Sequence, residues 1–166
     1  MTPSPVTSVT IPGVGRRIKR AAFTKDRVVI REMQFGIILV TGDRQWRHRG
    51  LIRRELMRHM PSKILHGGAR GADTIAGQVA SALGIAVVEF RAQWNVFGRK
   101  AGPMRNRAML AAKPDMVLAF HDDPARSRGT KDCVVEARRQ GIPVMLVKTT
   151  GFCSWWSGQR WATIST

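Results

Sequence analysis

The chain has 166 residues, 43% of them hydrophobic and 23% charged, with 28 Lys+Arg against 11 Asp+Glu for a formal net charge of +17. That length and balance fit one soluble domain with a proper core. They exclude a membrane span, because the longest apolar runs are only a handful of residues, and the N-terminus lacks the apolar core of a secretory signal. The two cysteines, Cys133 and Cys153, have neither metal spacing nor a disulfide framework, which suits a reducing, cytoplasmic setting.

Residues 1–20 are rich in Thr, Ser, Pro and Gly and end in Arg16-Arg17-Ile18-Lys19-Arg20. They read as a flexible basic arm. Residues 27–35 suit an added edge strand, so 1–35 form an N-terminal extension. Met33, just before the first core strand, could serve as an alternative start codon, which would make the preceding residues an extension. The extension, 1–35, holds seven Lys/Arg and two acids, while residues 36–148 hold twenty and nine. A basic surface of this kind favours nucleotides or nucleic acid, or serves solubility alone.

Residues 36–40 (Gly-Ile-Ile-Leu-Val) are the first core strand, apolar without alternation as in a parallel sheet covered on both faces. The strand ends at Thr41-Gly42-Asp43-Arg44. A helix over 48–60 follows, with Leu51, Ile52, Leu56 and Met57 facing the core and arginines on its other face, closed by Pro61. A second strand over 63–66 runs into His66-Gly67-Gly68-Ala69-Arg70-Gly71-Ala72-Asp73 and then a helix over 72–83, stopped by Gly84. Three glycines in five residues allow a tight turn and close approach to a ligand. The following helix aims its positive end back at that turn, which suits a phosphate, and Arg70 adds a charge that can grip one. Asp73 caps the helix start or binds a ribose hydroxyl.

The third strand, 85–90, leads through a connection over 91–102 that carries Trp94, a ring for the core, for an interface or for stacking on a base. A helix over 103–113 opens with Gly102-Pro103-Met104-Arg105-Asn106. Arg105 can stabilise negative charge and Asn106 can donate and accept hydrogen bonds. The fourth strand is 115–120. A polar loop, 121–129, opens the fourth helix, 130–140. Gly129 and Thr130 form another anion corner there, and Asp132 is the best placed carboxylate for acid–base work. The fifth strand is 144–148. The tail, 149–166, holds Trp155, Trp156 and Trp161 and packs on the domain or on a second subunit, which would make a homo-oligomer. His48, His59, His66 and His121 show no ligand spacing, so no metal is assigned.

Alternation of strand and helix implies right-handed crossovers. The expected architecture is a three-layer, Rossmann-like α/β domain over 36–148, with a five-stranded parallel sheet in the order 3-2-1-4-5. Its ligand would sit past the C-terminal strand ends, at the switch point between strands one and four.

Five motifs in this order, Thr41-Gly42-Asp43-Arg44, Gly67 to Asp73, Ala92-Gln93-Trp94, Ala101-Gly102-Pro103-Met104-Arg105-Asn106 and Gly129-Thr130, resemble the YspA-type (cpYpsA-related) branch of the SLOG superfamily. The resemblance covers about 36–148. It implies a nucleotide-binding domain that senses, sequesters or processes a nucleotide or an NAD- or ADP-ribose-derived ligand. It places Gly42, Asp43, Arg44, Gly67, Gly68, Ala69, Arg70, Gly71, Asp73, Trp94, Gly102, Arg105, Asn106, Gly129 and Thr130 at the ligand. Two related groups imply alternatives. Lonely-guy phosphoribohydrolases cleave the base–ribose bond of nucleoside monophosphates with an arginine and a glutamate. Arg105-Asn106-Arg107-Ala108-Met109 is similar to their arginine motif, but Cys133 stands where the glutamate belongs, so hydrolysis here needs Arg105 with Asp132 as the catalytic pair. DNA-processing protein A implies single-stranded DNA binding on the same fold. Asp43 also departs from the family pattern, which most often has Ser there.

Overall fold

Five apolar runs punctuated by glycines form the centre of the molecule. The computed structural model describes residues 20–24, 27–32, 36–157 and 161–164. Most of the basic arm, 1–19, therefore lies outside the described residues. Strands β1 (Arg20–Thr24) and β2 (Arg27–Glu32) pair antiparallel as a separate two-stranded sheet. The strand expected over 27–35 is thus present over 27–32, but it pairs with β1 rather than along an edge of the main sheet.

The main sheet contains β3 (Ile37–Gly42), β4 (Lys63–His66), β5 (Ala86–Glu89), β6 (Met116–Phe120) and β7 (Val144–Val147), all parallel and ordered β5-β4-β3-β6-β7. This is the 3-2-1-4-5 order inferred from the sequence. The sheet is wider than five strands, because β8 (Cys153–Trp156) pairs antiparallel with β7 and β9 (Trp161–Ile164) pairs antiparallel with β8. The tryptophan tail therefore continues the same layer, with Trp155 and Trp156 buried. Arg138 lies over the Trp156 ring, 5.0 Å from its centroid.

Helices α1 (Arg49–His59) and α2 (Ala72–Ala82) cover one face, where Ile52, Leu56, Ala76 and Val79 meet Ile38, Val40, Ile64 and Leu118. Helices α4 (Ala101–Ala111) and α5 (Arg128–Arg139) cover the other, where Met109, Leu110, Cys133 and Ala137 meet Leu39, Leu65, Val117 and Ala119. Neighbouring residues of β3 and β6 thus face opposite helical layers, as strand geometry requires. Each fully buried Leu or Ile contributes about 1.5–3 kcal/mol relative to exposure. Asp115 pins the lower end of the sheet, its Oδ2 accepting from the Gly36 and Ile37 amides, both at 2.8 Å.

Three local differences from the sequence expectation matter for the site. The 91–102 connection is not a loop throughout. It holds a short helix, α3 (Trp94–Phe97), and a 3-10 turn (Gly98–Lys100). Helix α4 then begins at Ala101, so Pro103 falls within the first turn, where its missing N–H costs no helical hydrogen bond. Helix α5 starts at Arg128, with Ser127 as its cap: Ser127 Oγ accepts from the Thr130 amide at 3.4 Å. On α1, Met57 is exposed and Leu51 is only partly buried, while Glu55 and His59 are fully buried. Among the described residues, no helix is long and apolar enough to cross a membrane.

Candidate functional site

A parallel sheet aims all its following loops at one edge. Here the chain after β3, the turn after β4, the α3–α4 segment after β5 and the start of α5 after β6 enclose a cleft of about 650 Å³. That volume lies in the range of small-molecule sites. Of the residues named from the sequence, Gly42, Arg44, Ala69, Asp73, Trp94, Gly102, Arg105, Asn106, Gly129, Thr130 and Asp132 line it. Gly67, Gly68 and Arg70 line an adjoining opening of about 420 Å³ that shares Arg44, Ala69, Trp94 and Arg105 with the cleft. Gly71 lies with Arg70 at a third opening, and Asp43 faces a fourth, on the far side of Arg44. Thr41, Arg99, Pro103, Ser127 and Arg128 also line the cleft. Arg99 is the residue that periodicity could not place, because it sits in the three-residue 3-10 turn.

The glycine-rich turn is organised differently from a phosphate cradle. Asp73 Oδ2 accepts from the Gly67 amide at 3.0 Å and the Ala69 amide at 3.4 Å, and His66 Nδ1 accepts from the Gly68 amide at 3.0 Å. Three amides that the sequence offered to an anion are therefore engaged by the chain itself. Asp73 acts as the inner support of the turn. Burial pushes its carboxyl up to about 6, although Arg105 and the two amides favour the ionised form. Burial also lowers the pKa of His66, consistent with a ring whose Nδ1 serves as an acceptor.

The glycines are needed for approach. Arg105 lies across the turn and donates to the Gly67 carbonyl, and a Cβ on Gly67 would collide with its guanidinium. Gly71 has φ +82° and packs against the backbone of Asp43 and Arg44, which ties the turn after β4 to the turn after β3. Ala72 N–H donates to the Asp43 carbonyl at 3.1 Å, closing the same junction.

The floor is a polar chain. Arg105 Nε donates to Asn106 Oδ1 at 3.1 Å, and Asn106 Nδ2 donates to Asp132 Oδ2 at 2.8 Å and to the Gly129 carbonyl at 3.2 Å. Asn106 is 2% exposed, so its amide is fully spent on positioning its neighbours. Thr130 is equally buried, its hydroxyl accepting from Ser127 Oγ at 3.2 Å. Cys133 lies beneath this floor, fully buried, and burial pushes its thiol up to about 12. A neutral thiol there supplies neither a base nor a nucleophile.

Positive charge enters from above. Arg44, Arg99, Arg105 and Arg128 line the cleft against two carboxylates, Asp73 and Asp132. At the start of α5, among the described residues, no protein group accepts from the Arg128 and Gly129 amides, which leaves the positive end of a twelve-residue helix open to the cleft. The amides without a protein acceptor thus lie at the start of α5, beside the arginines, while those of Gly67, Gly68 and Ala69 are engaged. Trp94 is 51% exposed and rests its ring on Gly102. It is a wall of the cleft and not a core residue.

The model of the YspA, cpYpsA-related SLOG family matches residues 37–97. The chain is 37% identical over 118 residues to the Gene 61 protein of Mycobacterium phage D29, an overlap of 65% of this chain and 93% of that relative. No solved structure matches it. The chain belongs to the YspA, cpYpsA-related SLOG family. Membership points to nucleotide-related binding or processing. The matched segment ends at Phe97, so the α4 and α5 parts of the cleft lie beyond it.

Proposed function

We propose that the cleft binds a nucleotide or a nucleotide-derived ligand, of which ADP-ribose is the model compound. The observation that carries this reading is the composition of one cavity: four arginines and an open helix N-terminus face an exposed tryptophan across about 650 Å³. A phosphate would lie against Arg44, Arg105 and the α5 amides, and a base would stack on Trp94. A thermal-shift series over nucleotides and ADP-ribose tests it. Mass action gives about 2.7 kcal/mol of stabilisation at a hundredfold excess over Kd. For a chain of this size that is a rise of roughly 5–11 °C. No rise with any phosphorylated nucleoside refutes the reading.

A second reading, hydrolysis of an N-glycosidic bond, is favoured by the Arg105–Asn106–Asp132 chain, which holds one carboxylate at the cleft beside an arginine. In it Asp132 would accept a proton from the attacking water, while Arg105 would steady the phosphate of the substrate. Incubation with nucleoside monophosphates should then release free base, and Asp132→Asn should stop it. Release that persists in that variant removes Asp132 from the reaction.

A further inference from the structure

The opening on the far side of Arg44 has a chemistry of its own. It encloses about 420 Å³ and shares Arg44 and Ser127 with the main cleft. It lies between the ends of β3 and β6, the adjacent strands at which the sheet reverses its order. His121, just past β6, is 7% exposed. Its Nδ1 accepts from the Asp123 amide at 3.0 Å, so the ring proton of the neutral form resides on Nε2. That Nε2 faces Asp43 Oδ2 at 4.0 Å.

Most of the other carboxylate oxygens there accept from the chain itself. Asp43 Oδ1 accepts from the Gln45 amide at 2.8 Å. Asp122 accepts from the Thr149 amide at 2.7 Å and from its hydroxyl at 2.9 Å, and Asp123 Oδ1 accepts from the Ala125 amide at 3.1 Å. Beside the Arg44 and Arg126 guanidiniums that also line the opening, the His121 N–H and Asp43 Oδ2 face each other across a gap too long for a hydrogen bond. An oxygen placed to one side of that gap would lie about 2.8–3.0 Å from both. It would have to accept from Nε2–H and donate to Oδ2. A hydroxyl does both, whereas an ionised phosphate cannot donate and is repelled by the carboxylate. Among the described residues no group of three or more His, Cys, Asp or Glu is placed to hold a metal ion.

We propose that Asp43 and His121 form a hydroxyl-recognition subsite, which takes a sugar hydroxyl of a ligand whose phosphates lie at Arg44. The inference rests on the nucleotide reading of the main cleft and narrows it. The favoured ligand is a nucleoside diphosphate that carries a second sugar on its terminal phosphate, and a ligand ending in a free phosphate is disfavoured.

Isothermal titration with ADP-ribose and with ADP, at one fixed salt concentration, tests this. Wild type should bind ADP-ribose at least tenfold more tightly than ADP. Asp43→Ala and His121→Phe should each shrink that preference to threefold or less. Asp43→Asn, which keeps the side-chain amide acceptor for Gln45, should bring ADP affinity closer to that of ADP-ribose by removing the repelling charge. Equal binding of the two compounds by wild type, or a preference that survives Asp43→Ala, overturns the subsite and leaves the nucleotide reading intact. Binding of neither compound overturns both.

Discussion

The Arg105 guanidinium rests on Gly67, donates to its carbonyl and occupies the space that any side chain at position 67 would need. One contact thereby joins the turn after β4 to the first turns of α4 and aims a positive charge along the cleft. It predicts that Gly67→Ala acts as a binding mutation. The added methyl displaces the end of a flexible side chain, so the melting temperature should change little. Nucleotide affinity should fall at least tenfold, in line with the roughly 1.5–3 kcal/mol of a hydrogen bond to a charged group. Unchanged affinity would mean that Arg105 does not need this seat.

Asp73 sets a pH dependence for binding. Its folded pKa of about 6 stands above the ordinary value of 3.8. The protonated form is thus favoured by folding, and the stability it confers is greatest below about 3.8 and is lost as pH rises to about 6. The same ionisation places a negative charge beside an anionic ligand. ADP-ribose, whose diphosphate keeps a constant charge in this range, should bind more weakly as pH rises through 6. Asp73→Asn should flatten that profile, and should gain stability over wild type as the pH rises from 4 to 7. A wild-type profile that is flat between pH 5 and 7 contradicts the assignment.

Trp94 should contribute through its face. Trp94→Ala should cost about 1–3 kcal/mol for ligands that carry a base. It should leave the affinity for ribose 5-phosphate, which has no base, nearly unchanged. Equal losses for both compounds would make the ring a structural wall instead.

Away from the cleft, Glu55 anchors a buried cluster. Its carboxylate accepts from Arg54 Nε at 2.7 Å and lies 3.6 Å from His59 Nε2 and 3.9 Å from Arg58. Burial alone would raise its pKa, but the adjacent His59 and the hydrogen-bonded Arg54 outweigh that and hold it below the ordinary 4.5. The stability it provides is therefore complete above pH 4.5 and declines as the pH falls below it. Glu55→Ala should cost about 1–3 kcal/mol, the order of a hydrogen bond to a charged group, because Arg54 is 37% exposed and can return to solvent. Chemical denaturation at pH 7 and pH 4 checks both statements, since the cost should shrink at the lower pH.

The sheet order was readable because each core strand is a short apolar run between glycine or proline punctuation, and five such runs admit few topologies. The cleft was readable because parallel strands deliver their loops to one edge, so Gly42, Arg105 and Gly129 could be placed together without tertiary information. Strands β8 and β9 were hidden in a tail whose turn signals, Gly151 at φ +82° and the Ser157-Gly158 pair, bracket runs too short to read as strands. Helix α3 is four residues long and has no period to detect. Glu55 and His59 are missing from the core-facing set read on α1 because charge usually marks an exposed face, and nothing local announces a buried pair. The engaged amides of Gly67, Gly68 and Ala69 were invisible for a related reason: a glycine-rich turn looks the same whether its N–H groups face a ligand or a neighbouring carboxylate.

The central claim is that the arginine-lined cleft holds a phosphorylated nucleoside, and Arg105 is its most direct handle. Isothermal titration of ADP-ribose into wild type and Arg105→Ala at matched salt measures it. The account predicts saturable one-to-one binding by wild type and a loss of at least tenfold in the variant, with the variant still folded by circular dichroism. Saturable binding of equal strength in both proteins would contradict it.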